Sequence, residues 1–176
     1  RGHEVYAFAV DYNEQQLREV AEMGAMGIAY RFNRFGLNPL SDMLNTLRLA
    51  KQLREIKPDL VFSYFTKPVV FGTCAAYLAG IKRRTAMLEG LGFIFTDCPE
   101  GVELKIRFLR KLQIVLYKVT LPLLDQLIFL NPDDAQDLLI KHKIKVKRHE
   151  ILGGIGVDLK YHSYSVPPTD PVSFLF

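Results

Sequence analysis

The sequence predicts an α/β fold built on a mostly parallel sheet. Three observations carry that prediction. Apolar runs of strand length alternate with stretches of helical periodicity along the whole chain. Most of the runs are continuous rather than alternating, which suits strands buried on both faces. The joints carry helix-opening and helix-closing residues, such as Asn38-Pro39 and Gly80. Alternation of this kind builds a Rossmann-like three-layer α/β/α sandwich.

The elements follow in order. Val5–Val10 reads as a buried strand, and residues 13–23 as a helix closed by Gly24. Gly27–Phe32 is a second strand. Asn38 opens a helix that runs to about Ile56, with Pro39 in a first turn where its missing N–H does no harm. Leu60–Phe65 is a third strand, and a helix from about Pro68 to Ala79 follows it. Arg84–Leu88 and Leu127–Leu130 are the fourth and fifth strands. Between them lies a helical segment from Val102 to Leu124, which Pro122 should kink or end. Asn131 caps a helix to about His142, and Glu150–Leu152 is a short sixth strand.

At 176 residues and 49% hydrophobic, the chain is long and apolar enough for one domain with a sizeable core, and too apolar for disorder. Two cysteines, Cys74 and Cys98, make neither a disulfide framework nor a metal cluster, so a reducing cytoplasm is expected. No CxxC, HxxxH or HExxH spacing occurs, and no metal is expected. The net charge of +4 points to an anionic membrane face or a phosphorylated substrate as readily as to nucleic acid. The chain opens without Met or a signal peptide and stops on what reads as a beginning strand, so both ends read as cuts. Residues 1–166 read as one domain and 167–176 as a Pro-rich linker leading into a further strand. Leu60–Ile81 is long enough to span a bilayer. Lys67-Pro68 near its middle makes strand, turn and helix the better reading.

Five features can carry chemistry. In open α/β sheets ligands bind beyond the carboxyl ends of the strands. Thr66-Lys67-Pro68, with Gly72, lies at such an end, where a helix N-terminus and the Lys67 charge suit an anion. The plainer reading makes Lys67 a solvated loop residue and Gly72 an allowance for helix–sheet contact. Glu89-Gly90-Leu91-Gly92-Phe93 follows the fourth strand. Its glycines let backbone approach a ligand, and Glu89 can accept from sugar hydroxyls or act as a base. An ordinary glycine turn with an exposed Glu is the alternative. The irregular loop from Phe93 to Gly101 suits substrate binding.

On a helical wheel of Val102–Leu124, Arg107, Arg110, Lys111 and Lys118 fall on one side. Leu104, Phe108, Leu109, Leu112, Val115, Leu116 and Val119 fall on the other. The apolar side is expected to pack on the sheet, leaving the basic side for anionic headgroups or a lipid pyrophosphate. An ordinary core helix with a solvated face would share this pattern. Lys141–His149, with Lys143, Lys145 and Lys147 alternating, either blunts an edge strand or adds to a basic patch, and both readings stand. Gly153-Gly154-Ile155-Gly156-Val157-Asp158 lacks the following helix of a dinucleotide fingerprint and reads as a flexible loop.

Taken in order, these segments resemble glycosyltransferase family 4, retaining enzymes of GT-B architecture with two facing Rossmann-like domains. Arg1-Gly2-His3-Glu4-Val5 is similar to the family's turn after its first helix. Lys57-Pro58-Asp59-Leu60-Val61 is similar to its "kPDvv" strand entry. Thr66-Lys67-Pro68 with Gly72, then Gly90-Leu91-Gly92-Phe93, resembles a branch with "T-x-K-P…G…G-L-G-x-x-F", Phe95 supplying the last aromatic one position early. Gly156-Val157-Asp158 resembles the "NGVD" loop that leads towards the second domain.

The resemblance implies an N-terminal, acceptor-side half lacking its first strand and helix. It implies transfer of a hexose or N-acetylhexosamine, with retention, from a nucleotide sugar, commonly a UDP-sugar. The acceptor would be lipid-linked, such as a polyprenyl-pyrophosphate glycan, or a surface polysaccharide such as lipopolysaccharide or capsule. Thr66, Lys67, Gly90, Leu91, Gly92 and Phe93 would meet the acceptor. Gly154, Gly156, Val157 and Asp158 would form the interdomain, donor-side loop. No cofactor, metal or nucleic acid is implied, and the place is the inner face of the plasma membrane. The sequence departs from the family at three points. Glu89 stands where many members have a His that contacts the donor sugar, which leaves Glu89 a catalytic candidate of its own. Thr66 is displaced by one position, and Ile155 replaces the Asn before Gly-Val-Asp. The 176 residues alone are expected to be inactive. A nucleotide-sugar epimerase of related fold, or a non-catalytic membrane-binding subunit, are the alternatives.

Overall fold

The computed structural model describes residues 2–32, 38–96 and 103–166. Expectations for residues 167–176, for Cys98 and for the later part of the loop after Phe93 lie outside them. The α/β class with parallel strands is what the structure has. β1 (Val5–Ala9), α1 (Glu14–Glu22) and β2 (Ala25–Ala29) form the first unit. A reciprocal cap starts α1: Asn13 Oδ1 accepts from Gln16 N at 2.8 Å, and Gln16 Oε1 from Asn13 N at 3.0 Å. β2 begins and ends earlier than the predicted Gly27–Phe32. Tyr30 N still donates to Ala9 O at 2.9 Å, and past it the chain joins a run of aromatic rings, Phe8, Tyr30, Phe32, Phe71.

α2 (Pro39–Ile56) starts where Asn38 Oδ1 accepts from Ser41 N and ends on Lys57 at φ +55°, just before Pro58. β3 (Leu60–Tyr64), a π-helical turn at Pro68–Gly72, α3 (Thr73–Leu78) and β4 (Arg83–Leu88) follow. After a 3₁₀ turn at Phe93–Phe95 comes α4 (Leu104–Thr120), which gives way at Pro122 to a 3₁₀ turn, as the missing N–H dictates. β5 (Gln126–Phe129), α5 (Pro132–Ala135), its π-helical continuation Gln136–Lys141, and β6 (His149–Ile151) complete the chain.

The strands make two parallel sheets rather than one. Among the described residues β1 pairs only with β2, and a four-stranded sheet runs β3-β4-β5-β6. One face of the larger sheet is closed. Ala86, Leu88, Leu127 and Phe129 are fully buried there against Tyr117, Leu121, Leu124 and Leu138. Leu49, Ala50 and Leu53 of α2 bury Ala75, Ala76 and Ile81 in a second cluster that Phe8, Tyr30 and Val61 join, so it spans both sheets. The other face of the larger sheet keeps Leu60, Phe62 and Tyr64 about half exposed. The continuous apolar runs predicted burial on both sides, and α1 covers only the smaller sheet, with Leu17 over Gly27.

Lys143, Lys145 and Lys147 do not form the strand that their alternation suggests. The alternation instead drops Ile144 and Val146 onto the core while the lysines stay outside. Asp125 ties this segment to the sheet, accepting from Lys147 Nζ at 2.8 Å and from Arg84 N at 3.0 Å. Its carboxyl is held below the usual carboxylate range, first by the Lys147 hydrogen bond and, against some burial, by the Arg84 N–H and both cations. A depressed folded pKa stabilises above the unfolded value of 3.8 and is lost as pH falls through the folded one. Urea midpoints of wild type and Asp125→Asn are therefore expected to differ at about pH 6 and to converge well below pH 4. A gap that persists unchanged into acid would show that the charge is not what stabilises this joint.

Candidate functional site

The carboxyl edge of the larger sheet collects most of the sequence candidates. β3 ends in Phe65, a non-glycine residue at φ +65°. Backbone of this kind persists only where its surroundings hold it, and it concentrates at functional sites. Here the next turn supplies the hold. Val69 N donates to Phe65 O at 2.9 Å, and Val69 and Val70 are buried. A Cβ on Gly72 would lie 3.0 Å from Ser63 Oγ, so the π-helical turn packs directly on β3, and helix–sheet contact accounts for Gly72. Lys67 is half-buried. Its Nζ lies 3.7 Å from Asp42 Oδ1 and 6.0 Å from the centre of the Phe32 ring. Lys67 is thus not a solvated loop residue, and Asp42, in the first turn of α2, belongs to the site.

α4 backs this corner. The Tyr117 hydroxyl accepts from Gln113 Nε2 at 2.7 Å. Burial raises the phenol above its usual value, hydrogen bonds with Thr66 and Gln113 oppose the rise, and the Asp134 charge adds to it. Tyr117 therefore has β3-end and β5-end residues as neighbours.

At the end of β4, Leu88 is fully buried and Leu91 is 6% exposed, so Leu91 anchors the loop in the core. Glu89 is half-buried between them, Gly90 is open to solvent, and Phe93 is exposed. Gly92 sits at φ +77°, which strains any residue with a Cβ. The Phe93–Phe95 turn is fastened from α4. Arg110 Nε donates to Ile94 O at 2.5 Å, a terminal nitrogen donates to Thr96 O at 3.2 Å, and the guanidinium lies over the Phe95 ring.

Leu91, Gly92, Phe95 and Thr96 line an open cavity of about 490 Å³ together with Asp133, Asp134, Asp137 and Lys141. Asn131 places the acids by accepting from Asp134 N at 2.8 Å while its own amide donates to Asp134 Oδ2. Lys141 pairs with Asp137 at 2.9 Å. The Asn131-Pro-Asp-Asp signal marked a helix start, and its second meaning, a carboxylate wall, needed the fold. A larger groove of about 1140 Å³, flanked by Arg54, Lys57, Lys82 and Arg83, lies at the opposite, amino edge. Parallel sheets do not present ligand sites there.

Gly154, Gly156, Val157 and Asp158 follow β6 and do not line the cavity. Asp158 Oδ1 accepts from Lys160 N at 2.9 Å and closes a turn. Ile155, Val157, Leu159 and Tyr161 around it are all more than two-thirds exposed.

α4 is rotated from the wheel's expectation: of the expected core side Leu109, Leu112 and Leu116 are half-buried, Leu116 against the core, and the rest is exposed. Leu104, Phe108, Val115 and Val119 are exposed, whereas Tyr117 and Thr120 are buried and Ile106 and Gln113 half-buried. The four exposed apolar residues make a stripe along the helix. Arg107, Lys111 and Lys118 border it on one side and Lys105 on the other. Arg110, grouped with them on the wheel, is half-buried and spent on the Phe93–Phe95 turn. Among the described residues no helix is long and apolar enough to cross a membrane, and no three His, Cys, Asp or Glu gather as around a metal ion.

No protein-family model matches the chain. It is similar to the N,N'-diacetylbacillosaminyl-diphospho-undecaprenol alpha-1,3-N-acetylgalactosaminyltransferase of Campylobacter jejuni, 29% identical over 153 residues. The match covers 87% of this chain and 39% of that protein, so the chain spans well under half the length of its relative. By its name the relative is a glycosyltransferase that acts on a diphospho-undecaprenol-linked sugar.

Proposed function

We propose that this chain is the acceptor-side half of a retaining glycosyltransferase of family 4. It serves transfer of a hexose or N-acetylhexosamine from a nucleotide sugar, a UDP-sugar foremost, to a polyprenyl-pyrophosphate-linked glycan. One observation carries the reading: the β3 corner and the Gly90–Phe93 loop gather at the carboxyl edge of the parallel sheet, in a chain similar over most of its length to a transferase with a lipid-linked acceptor. Glu89, Asp133 and Asp134 offer acceptors for sugar hydroxyls there. The exposed apolar side chains from Ile155 to Tyr161 suit contact with a second, donor-binding domain.

The outward face of α4 suits the membrane end of such an acceptor. An apolar stripe bordered by Lys and Arg is the pattern of a helix lying in a headgroup layer. It supports a peripheral protein on the inner face of the plasma membrane, working on lipopolysaccharide, capsule or related lipid-linked glycans.

The test supplies the complete enzyme with UDP-hexoses, UDP-N-acetylhexosamines and an undecaprenyl-diphosphate glycan. The expected result is a glycan longer by one sugar, formed with the donor's anomeric configuration. Epimerised nucleotide sugar without any acceptor would instead establish the epimerase alternative. No turnover, with the acceptor still bound, would establish the non-catalytic subunit.

A further inference from the structure

Both carboxylate oxygens of Asp42 are closed to solvent and have no hydrogen-bond partner among the described residues, and the residue is 1% exposed. A buried charge in that condition persists only when an opposite charge compensates it. Lys67 Nζ, 3.7 Å away, is that charge. The partners come from elements placed independently, the first turn of α2 and the end of β3. Asp42 is fixed by its own backbone, its N–H donating to Asn38 O at 2.8 Å and its carbonyl accepting from Thr46 Oγ1 at 2.7 Å. Lys67 keeps 21% of its side chain exposed, so the pair has one buried end and one end that meets solvent.

We propose that Asp42 is a positioning residue that holds the Lys67 ammonium and cancels its charge, so that Lys67 donates a hydrogen bond to an uncharged sugar oxygen rather than balancing a phosphate. The inference rests on the acceptor-side reading above. A lone lysine would favour phosphate, but a lysine bound to a buried carboxylate has little net field and keeps its N–H donors. The neighbourhood points the same way. Thr66, next in sequence to Lys67, neighbours the Tyr117 hydroxyl and lowers its pKa, while the Asp134 charge raises it. Asp134, Asp133 and Asp137 line the adjoining cavity, where the Lys141 cation is already paired. A pyrophosphate would be repelled from this edge, whereas hydroxyls would find acceptors. The acceptor's charged group is left to the exposed cations of α4.

Inorganic pyrophosphate is the probe, followed by amide NMR shifts. Wild type is expected to show no shift at Thr66 or Lys67. Asp42→Asn, which removes the buried compensating charge, should bind pyrophosphate at Lys67 at least about tenfold more tightly. Asp42→Asn/Lys67→Met should lose that gain. A merely structural pair would lower stability in each variant without any gain in anion affinity. Pyrophosphate binding at Lys67 of wild type as tightly as in Asp42→Asn would overturn the proposal. Should Asp42→Asn fail to fold, the wild-type titration decides alone: a shift at Lys67 overturns the proposal, and shifts confined to α4 support it. In the complete enzyme, Lys67→Met should raise the acceptor KM several-fold with kcat nearly unchanged, and an unaltered KM would overturn the sugar contact. Absence of any turnover by wild type would instead count against the transferase reading, which the pyrophosphate titration does not depend on.

Discussion

Reversing three of the four exposed cations of α4, with Arg107→Glu, Lys111→Glu and Lys118→Glu, is expected to abolish co-sedimentation with vesicles rich in anionic lipid. A Lys or Arg near such a surface contributes roughly 1 kcal/mol, so losing three costs about 3 kcal/mol, or roughly a hundredfold in affinity. Reversal adds repulsion to that loss. Arg110 is left alone because its guanidinium fastens the Phe93–Phe95 turn, and changing it would disturb the site for another reason. Phe108→Ser, which keeps every charge, should also weaken binding, because Phe108 is 66% exposed on the apolar stripe. Vesicle binding that survives the triple reversal would remove the membrane from the account of this helix and make a soluble acceptor the better reading.

The second large effect is expected at Glu89. The side chain stands at the carboxyl end of β4, half-buried between Leu88 and Leu91, both anchored in the core. That placement holds its backbone steady at the carboxyl end of the strand, although Glu89 does not itself line the cavity beside it. If Glu89 moves a proton in the reaction, Glu89→Gln, which preserves shape and hydrogen bonding, should lower kcat of the complete enzyme about a hundredfold or more. An intact kcat with a raised acceptor KM would mean that Glu89 only holds a hydroxyl. Unchanged kcat and KM together would remove it from the site.

The sequence is most legible where local chemistry acts alone. The bounds of α2 follow from Asn38-Pro39 at one end and Lys57-Pro58 at the other, because capping and the proline constraint need no tertiary partner. β2 is less legible, because Tyr30 and Phe32 are apolar enough for a strand, and the ring contacts they make beyond its end appear only in the folded chain. The orientation of α4 is not legible. Its buried side includes Gln113, Tyr117 and Thr120, whose polar atoms find partners only in the folded chain, and its exposed side holds Leu104, Phe108, Val115 and Val119. A wheel assigns the whole apolar sector to the core, and here the core takes only part of it, through half-buried Leu109, Leu112 and Leu116, together with the polar positions beside them. The role of Asp42 is illegible for a related reason. An acid in a first helical turn is already explained by the helix dipole, so nothing in the sequence separates a solvated one from one sealed against Lys67.

The division into two sheets has a consequence for how the molecule breathes. No residue of α1, β1 or β2 is fully buried, whereas Leu88, Leu127 and Phe129 are sealed in the larger sheet. No described ladder joins the two sheets, and the cluster around α2 and α3 is their shared packing. β1, α1 and β2 therefore form a cooperative unit of low local stability, able to open while the rest stays closed. α2 lies at the junction, and Asp42 is carried on its first turn. Opening of the smaller sheet would strip Phe8 and Tyr30 from the packing behind α2 and loosen Asp42's hold on Lys67, so the weakest part of the fold governs how firmly one corner of the site is held.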